Sequence, residues 1–352
     1  MYLWFLISSI IILTTKVLVW LKCGFLQQHL SCLVVLWLWT LSTLLLNAQK
    51  KIVENNIVTR GGRIMRLINC KDIREEVLQE VKQQVEQLDF VPQIHIITIG
   101  EDDASKVYVN NKIKTAKSVG IEPLHYEFSG DITQEQAEEE IKKLCSEVQG
   151  GVMLQLPIPS HLDETKLIDL IPQNQDVDGL TATNMGMLVQ NNRDAIIPAT
   201  ANACYYVMKH FFDQEDMSNV NVTIVNRSRL IGLPLQALLT NNNATVTLCH
   251  SKTRNLPVPM IKSDVLITGI GKPKFFTSQD CSDEYQLIID CGINRDEDGR
   301  MCGDWNEESL FEVCDDSVHL TPVGQRRMGV GSVTTACLML SVIKCHKLQG
   351  GE

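Results

Sequence analysis

A chain of 352 residues, 44% hydrophobic and 21% charged, has the length for about two globular domains, each with a core of its own. Its 42 acidic and 32 basic side chains leave a formal charge of -10, and Lys and Arg are nowhere clustered, which excludes nucleic acid as the expected partner. The 12 cysteines stand singly, without C-x-x-C or a histidine at zinc-finger spacing, so no metal site is expected and a reduced, cytoplasmic setting is.

Residues 1–64 read as an apolar extension. Met1 to Leu46 is dominated by Leu, Ile, Val, Trp and Phe. The run Cys32 to Leu46 is shorter than the ~20 apolar residues that span a bilayer, and Tyr2 to Leu21 carries Lys16 inside it. Two readings stand side by side. One is a membrane anchor, with Lys50, Lys51, Arg60 and Arg63 holding the rest on the cytoplasmic side. The other is upstream sequence ahead of a natural start at Met65, where "MRLINCKDIREEVLQEVKQQV" begins. A membrane partner is expected only on the first.

From Asp72 onward helical and strand periods alternate. Ile73 to Leu88 is predicted as an amphipathic helix, "IHIITIG" as a buried strand, and Ala104 to Val119 as a helix stopped by Gly120. "EPLHYEF" follows as a strand, Gln134 to Val148 as an acidic-faced helix, and "GGVMLQLP" as a strand ending at Pro157. After "IIPATANA" comes a second series. It comprises a helix Asn202 to Phe212, a strand "NVTIVNRS", a helix Leu230 to Leu239, and strands "ATVTLC", "SDVLITGIG" and "YQLIIDCGIN". A last helix, Val333 to Lys347, follows a glycine-rich loop. The pattern predicts two α/β domains with parallel sheets flanking a cleft, the second of them Rossmann-like. The expected boundaries are 65–197 for the first domain, 198–316 for the nucleotide domain, and 317–352 for a loop and helix returning to the first.

In the second series "NVTIVN" runs into "RSRLIG", and a helix opens with Pro234 in its first turn, a position that tolerates a missing N–H. A phosphate there would meet free backbone N–H groups and the positive end of the helix dipole. The strict G-x-G-x-x-G is absent: Asn226 stands where the first glycine is expected, with Gly232 later. Asparagine tolerates positive φ better than most residues, so the turn is expected to survive, with close approach by a pyrophosphate made harder. The next strand ends in His250, Ser251, Lys252 and Arg254 instead of an acidic ribose ligand; with Arg227 and Arg229 this end is cationic, so NADP is preferred to NAD.

Three stretches fall at or beyond the carboxyl ends of the first-domain strands, where open parallel sheets bind ligands: "YVNNK", "GGVMLQLPIPSHLD" and "QDVDGLTATNMG". In a helix Tyr108 and Lys112 share a face one turn apart. Gln155, as a core-facing strand residue, would bury an unpaired amide at a cost of ~1 to 3 kcal/mol, so it is expected to face a cavity or a partner. "DVDG" lacks the third ligand of a calcium loop.

These stretches, with "IPAT", "NRSRLIGLP", "ATVTLCHSKT", "GKP", "DCGIN", "GD" and "LTPV...GVG", run in an order that resembles the methylenetetrahydrofolate dehydrogenase/methenyltetrahydrofolate cyclohydrolase family from Met65 to the carboxyl end. The resemblance implies an enzyme of one-carbon metabolism. It would oxidise 5,10-methylenetetrahydrofolate with hydride transfer to NADP (NAD in some members) and hydrolyse the methenyl product to 10-formyltetrahydrofolate. It further implies Lys112 as the principal residue of hydrolysis, Tyr108 stacked on or orienting the folate, and Gln155 holding and tuning the lysine. Asp178 would hydrogen-bond the pterin beside Leu156 and Pro157. Asn226, Arg227, Ser228, Gly232, His250, Ser251, Gly292 and Ile293 would bind the cofactor, and the family is commonly dimeric.

The chain also departs from the family pattern. Where members read T-P-V-P-G-G-V-G-P-M-T, it has "TPVGQRRMGVGSVTT" (Thr321 to Thr335), with Arg326 and Arg327 introduced, and P-[CA]-T-P-x-G becomes "PATANA". A functional but divergent enzyme is expected. The alternative is a membrane-tethered folate or nucleotide-binding homologue with one or both activities lost.

Overall fold

A computed structural model describes residues 57–60, 63–100, 103–282, 285–310, 319–321 and 329–350. The chain divides into two units, Met1–Val58 and Thr59–Glu352. Residues 1–56, on which the expected membrane anchor falls, and residues 322–328, which carry Arg326 and Arg327, lie outside the described residues. Among the described residues no helix is long and apolar enough to cross a membrane.

Two short strands, Ile57–Arg60 (β1) and Arg63–Leu67 (β2), precede helix α1, Cys70–Val85. The helix opens three residues before Ile73 because the Asn69 side chain accepts from the Asp72 backbone N–H and caps it. The chain then alternates: β3 Gln93–Ile99, α2 Asp103–Ser118, β4 Glu122–Phe128, α3 Gln134–Glu147 and β5 Gly151–Leu154. These strands form a parallel sheet in the order β4-β3-β5. Ile94 and Ile96 enter one apolar cluster and Ile97 and Ile99 another, so β3 is covered on both faces, as an all-parallel sheet requires. β5 stops at Leu154 and not at Pro157. Gln155 N–H still reaches Ile97 O at 2.8 Å, but Pro157 has no N–H to extend the ladder.

Short helices Glu164–Ile168 (α4) and Ala182–Val189 (α5) lead to α6, Ala199–Phe212, which starts directly after Pro198. The second series is β6 Asn221–Val225, α7 Gly232–Asn241, β7 Thr245–Cys249, α8 Pro257–Ile261, β8 Val265–Thr268 and β9 Leu287–Asp290. A two-stranded hairpin, β10 Asn294–Arg295 with β11 Met301–Cys302, is followed by α9 Glu307–Leu310, β12 His319–Leu320 and α10 Val330–Leu348. The second sheet has the order β1-β2-β12-β9-β8-β6-β7, drawing strands from residues 57–60, 63–67 and 319–320 as well as from 221–290. β7 and β8 flank β6 on opposite sides, which makes β6/β8 the point where strand order reverses and a crevice opens.

Helix α10 packs on α1 and α6 and reaches back to the first sheet. Lys344 Nζ donates to Arg193 O and Ala195 O, both at 2.7 Å, and His346 Nε2 accepts from Gln93 N–H at 2.8 Å. No disulfide joins the cysteines among the described residues.

Candidate active site

Lys112 lies on α2, the helix that leaves β3, and Gln155 immediately follows β5. Lys112 Nζ donates to Gln155 Oε1 at 2.8 Å, and Gln155 Nε2 donates to Leu156 O at 2.6 Å. The buried amide therefore has both ends paired inside the protein, and the partner the sequence demanded is the lysine itself. Burial lowers the Lys112 pKa, while the charge of Asp178 raises it. Burial likewise pushes the Asp178 carboxyl up to about 6, Lys112 pulling it down and Asp176 pushing it further up. Lys112, Gln155 and Asp178 are thus brought together from three separate stretches. Leu156 and Pro157 continue from Gln155, and Tyr108 stands one helical turn before Lys112, 44% exposed.

Asp176, which sequence reasoning passed over, fixes the turn that carries Asp178. It is buried, and its Oδ2 accepts from Thr181 N–H and Asn184 Nδ2, both at 2.9 Å. The alternating acids of "QDVDG" were visible; which one faced inward was not.

At the end of β6 the turn is kept by a side chain and not by backbone conformation. Asn226 does not adopt positive φ. Its side chain organises the turn: Oδ1 accepts from Ser228 N–H (2.7 Å), Ser228 Oγ (2.8 Å) and Gly232 N–H (3.0 Å), while Nδ2 donates to Gly269 O. A Cβ at position 232 would fall 2.0 Å from Asn226 O, so only glycine lets α7 begin this close to the turn. Arg227 is exposed at the same turn. Arg229, grouped with it from the sequence, pairs instead with Glu164 of α4 at 3.1 Å. His250 is partly buried, its Nδ1 accepting from Lys252 N–H at 3.1 Å, and Ser251 is exposed.

Beyond β9, Gly292 N–H donates to Asp290 Oδ1 at 2.8 Å and Ile293 is 52% exposed. Burial pushes the Asp290 carboxyl up to about 7. Thr268 Oγ1, fully buried at the end of β8, has no partner among the described residues. The compact turn at the α7 N-terminus, the hydroxyl of Ser228 and the exposed Arg227 and Ser251 fit a phosphate-bearing dinucleotide.

Two α/β sheets, one carrying a desolvated lysine–amide pair and the other a nucleotide-type turn at its switch point, define a two-domain α/β dehydrogenase class. Comparison with known proteins makes this specific. The chain belongs to the tetrahydrofolate dehydrogenase/cyclohydrolase family, whose catalytic-domain model matches residues 68–178 and whose NAD(P)-binding-domain model matches residues 198–350. It is 36% identical over 287 residues to the bifunctional protein FolD of Campylobacter hominis, covering 80% of this chain and 98% of that protein. The bifunctional 5,10-methylenetetrahydrofolate dehydrogenase/cyclohydrolase of Thermoplasma acidophilum superposes with a TM-score of 0.74 at 28% identity, covering 82% of this chain and all, 100%, of that one. The Trypanosoma brucei enzyme, solved with NADP cofactor and an inhibitor, gives a TM-score of 0.70 at 26% identity over 82% of this chain and 99% of its own.

Proposed function

We propose that the protein oxidises 5,10-methylenetetrahydrofolate to the 5,10-methenyl form with NADP as acceptor and hydrolyses that product to 10-formyltetrahydrofolate. The observation that carries this reading is the 2.8 Å hydrogen bond from Lys112 to Gln155, with the charge of Asp178 acting on the same amine. Family membership supports both activities and the use of tetrahydrofolate derivatives.

In this reading Lys112 Nζ moves a proton between the attacking water and the ring nitrogen that leaves the methenyl carbon, a role that a lowered pKa suits near neutral pH. Gln155 fixes the amine without adding charge. Asp178 accepts paired N–H bonds from the pterin, a directional clamp for a carboxylate. Tyr108 covers the folate beside Lys112, with Leu156 and Pro157 as the opposite wall. Asn226, Arg227, Ser228, Gly232, His250, Ser251, Gly292 and Ile293 hold NADP, which when bound takes the hydride from the one-carbon bridge. The missing acidic ribose ligand after β7 supports NADP over NAD.

The domain boundaries proposed are residues 65–197 for folate, 198–316 for the nucleotide, and 317–352 for the returning segment, with 1–64 as a separate extension. A homodimer and a cytoplasmic location complete the reading; the lack of disulfides among the described cysteines supports a reducing compartment. The test is to supply the full-length chain with methylenetetrahydrofolate and NADP or NAD and to follow nicotinamide reduction and methenyl absorbance. Absence of reduction with both cofactors refutes the dehydrogenase assignment.

A further inference from the structure

We infer that Asp304 is a positioning residue of the cofactor pocket, locking the turns after β8 and β9 at the spacing a dinucleotide requires. The inference rests on the folate dehydrogenase reading above and deepens its cofactor half. Asp304 follows Gly303 in the "GD" pair that the proposed chemistry leaves without a role, and it is fully buried, 0% exposed.

Its Oδ2 accepts from Ile270 N–H at 2.6 Å, and its Oδ1 accepts from Lys272 N–H at 3.1 Å and Asn294 Nδ2 at 2.9 Å. The first two donors belong to the turn after β8, and the third to the segment after β9. One carboxylate therefore staples two turns that no strand pairing joins at this point. Gly292 presses on the same group: a Cβ there would fall 2.4 Å from Asp304 Oδ1, so the β9 turn approaches this closely only without a side chain.

The staple extends to a third turn, because Asn226 Nδ2 donates to Gly269 O and so joins the β8 turn to the nucleotide turn after β6. These three segments sit at the carboxyl ends of β6, β8 and β9, around the strand-order reversal where such sheets take their ligands. Asp304 spends its oxygens on three internal donors, so it acts through the turns and does not touch the ligand. A carboxylate is required because each oxygen must accept. An amide in its place would turn an N–H donor toward Ile270 or Lys272 N–H, leaving a buried donor unpaired.

The experiment measures the NADPH dissociation constant by nicotinamide fluorescence for the full-length wild type, Asp304→Asn and Asn294→Ala. Methenyl hydrolysis, which consumes no redox cofactor, is followed in parallel. The expected result is a dissociation constant raised about tenfold in Asp304→Asn and about threefold in Asn294→Ala, with hydrolysis within about twofold of wild type. Unchanged NADPH affinity in folded Asp304→Asn overturns the inference, as does a proportional loss of binding and hydrolysis in both variants, which marks a general structural role. Should Asp304→Asn fail to fold, Asn294→Ala decides by the same criteria. A wild-type chain that binds no NADPH overturns the parent reading and this inference together, whereas wild-type binding with unaffected variants overturns the inference alone.

Discussion

Lys112 Nζ and Gln155 Oε1 lie 2.8 Å apart, joining a helix that leaves β3 to the residue that ends β5. The amide holds the amine in place yet contributes no charge, so desolvation keeps the Lys112 pKa low, opposed only by Asp178. Replacing the amine without changing the bulk isolates its chemistry. In Lys112→Met methenyl hydrolysis is expected to fall about 10²- to 10⁴-fold, the usual worth of a positioned proton donor or acceptor. Folate affinity, measured by equilibrium titration, should change little. Hydrolysis at the wild-type rate would remove Lys112 from the proposed role.

The role proposed for Asp178 predicts an acid limb in the reaction. With its carboxyl pushed from 3.8 up to about 6, it is ionised above that pH and neutral below it. A neutral carboxyl accepts fewer N–H bonds from the pterin, so folate affinity and turnover should decline as pH falls through about 6, and Asp178→Asn should flatten that decline at a lower overall rate. Stability responds with the opposite sign. Between 3.8 and about 6 the folded chain holds a proton that the unfolded chain has released, so this group's burial costs stability above pH 6 and the cost fades as pH falls toward 3.8. A pH–rate profile unaltered by Asp178→Asn would contradict the assignment.

What could be read in advance followed local pattern. Glu122–Phe128 alternates in a seven-residue block bounded by Gly120 and Gly130, and strand and sequence expectation coincide there. The helix of Lys112 and the buried strand before it were equally plain. Elements defined by distant partners were not. His319–Leu320 is a strand of two residues, too short for any period, and it exists because β2 and β9 pair on its two sides. The Arg229–Glu164 pair joins positions 65 apart, so no spacing rule reveals that one arginine of "NRSR" is already engaged. Asn226 shows a subtler limit: the position was identified, but residue type alone could not tell a backbone role from the side-chain network it builds.

That network makes Gly232 the most sensitive position of the nucleotide turn. An added methyl would meet Asn226 O at 2.0 Å and Asn226 C at 2.5 Å, both backbone atoms, so relief requires the turn itself to move. Gly232→Ala is expected to cost about 1–3 kcal/mol of stability, the range for forced overpacking. NADPH affinity should drop more than about tenfold as the turn opens. Thermal melting and nicotinamide fluorescence read the two effects, and wild-type behaviour in both would show that α7 can shift without disturbing the turn.

The carboxyl-terminal helix offers a test of how the site is supported from behind. Gln349 accepts from Gly150 N–H at 2.9 Å through Oε1, and its Nε2 donates to Gly150 O at 2.9 Å and Asn174 O at 2.8 Å. Gly150 leads into β5 and thence to Gln155, while Asn174 leads into the turn of Asp176 and Asp178. One side chain beyond α10 thus braces both segments that face Lys112. Gln349→Ala leaves three partly buried backbone groups to water or to nothing, and a loss of about 1–3 kcal/mol is expected in urea unfolding. Because the brace acts at the roots of both segments, hydrolysis should weaken more than NADPH binding, whose turns lie on the other sheet. Equal losses in the two functions would place the effect of Gln349 in global stability alone.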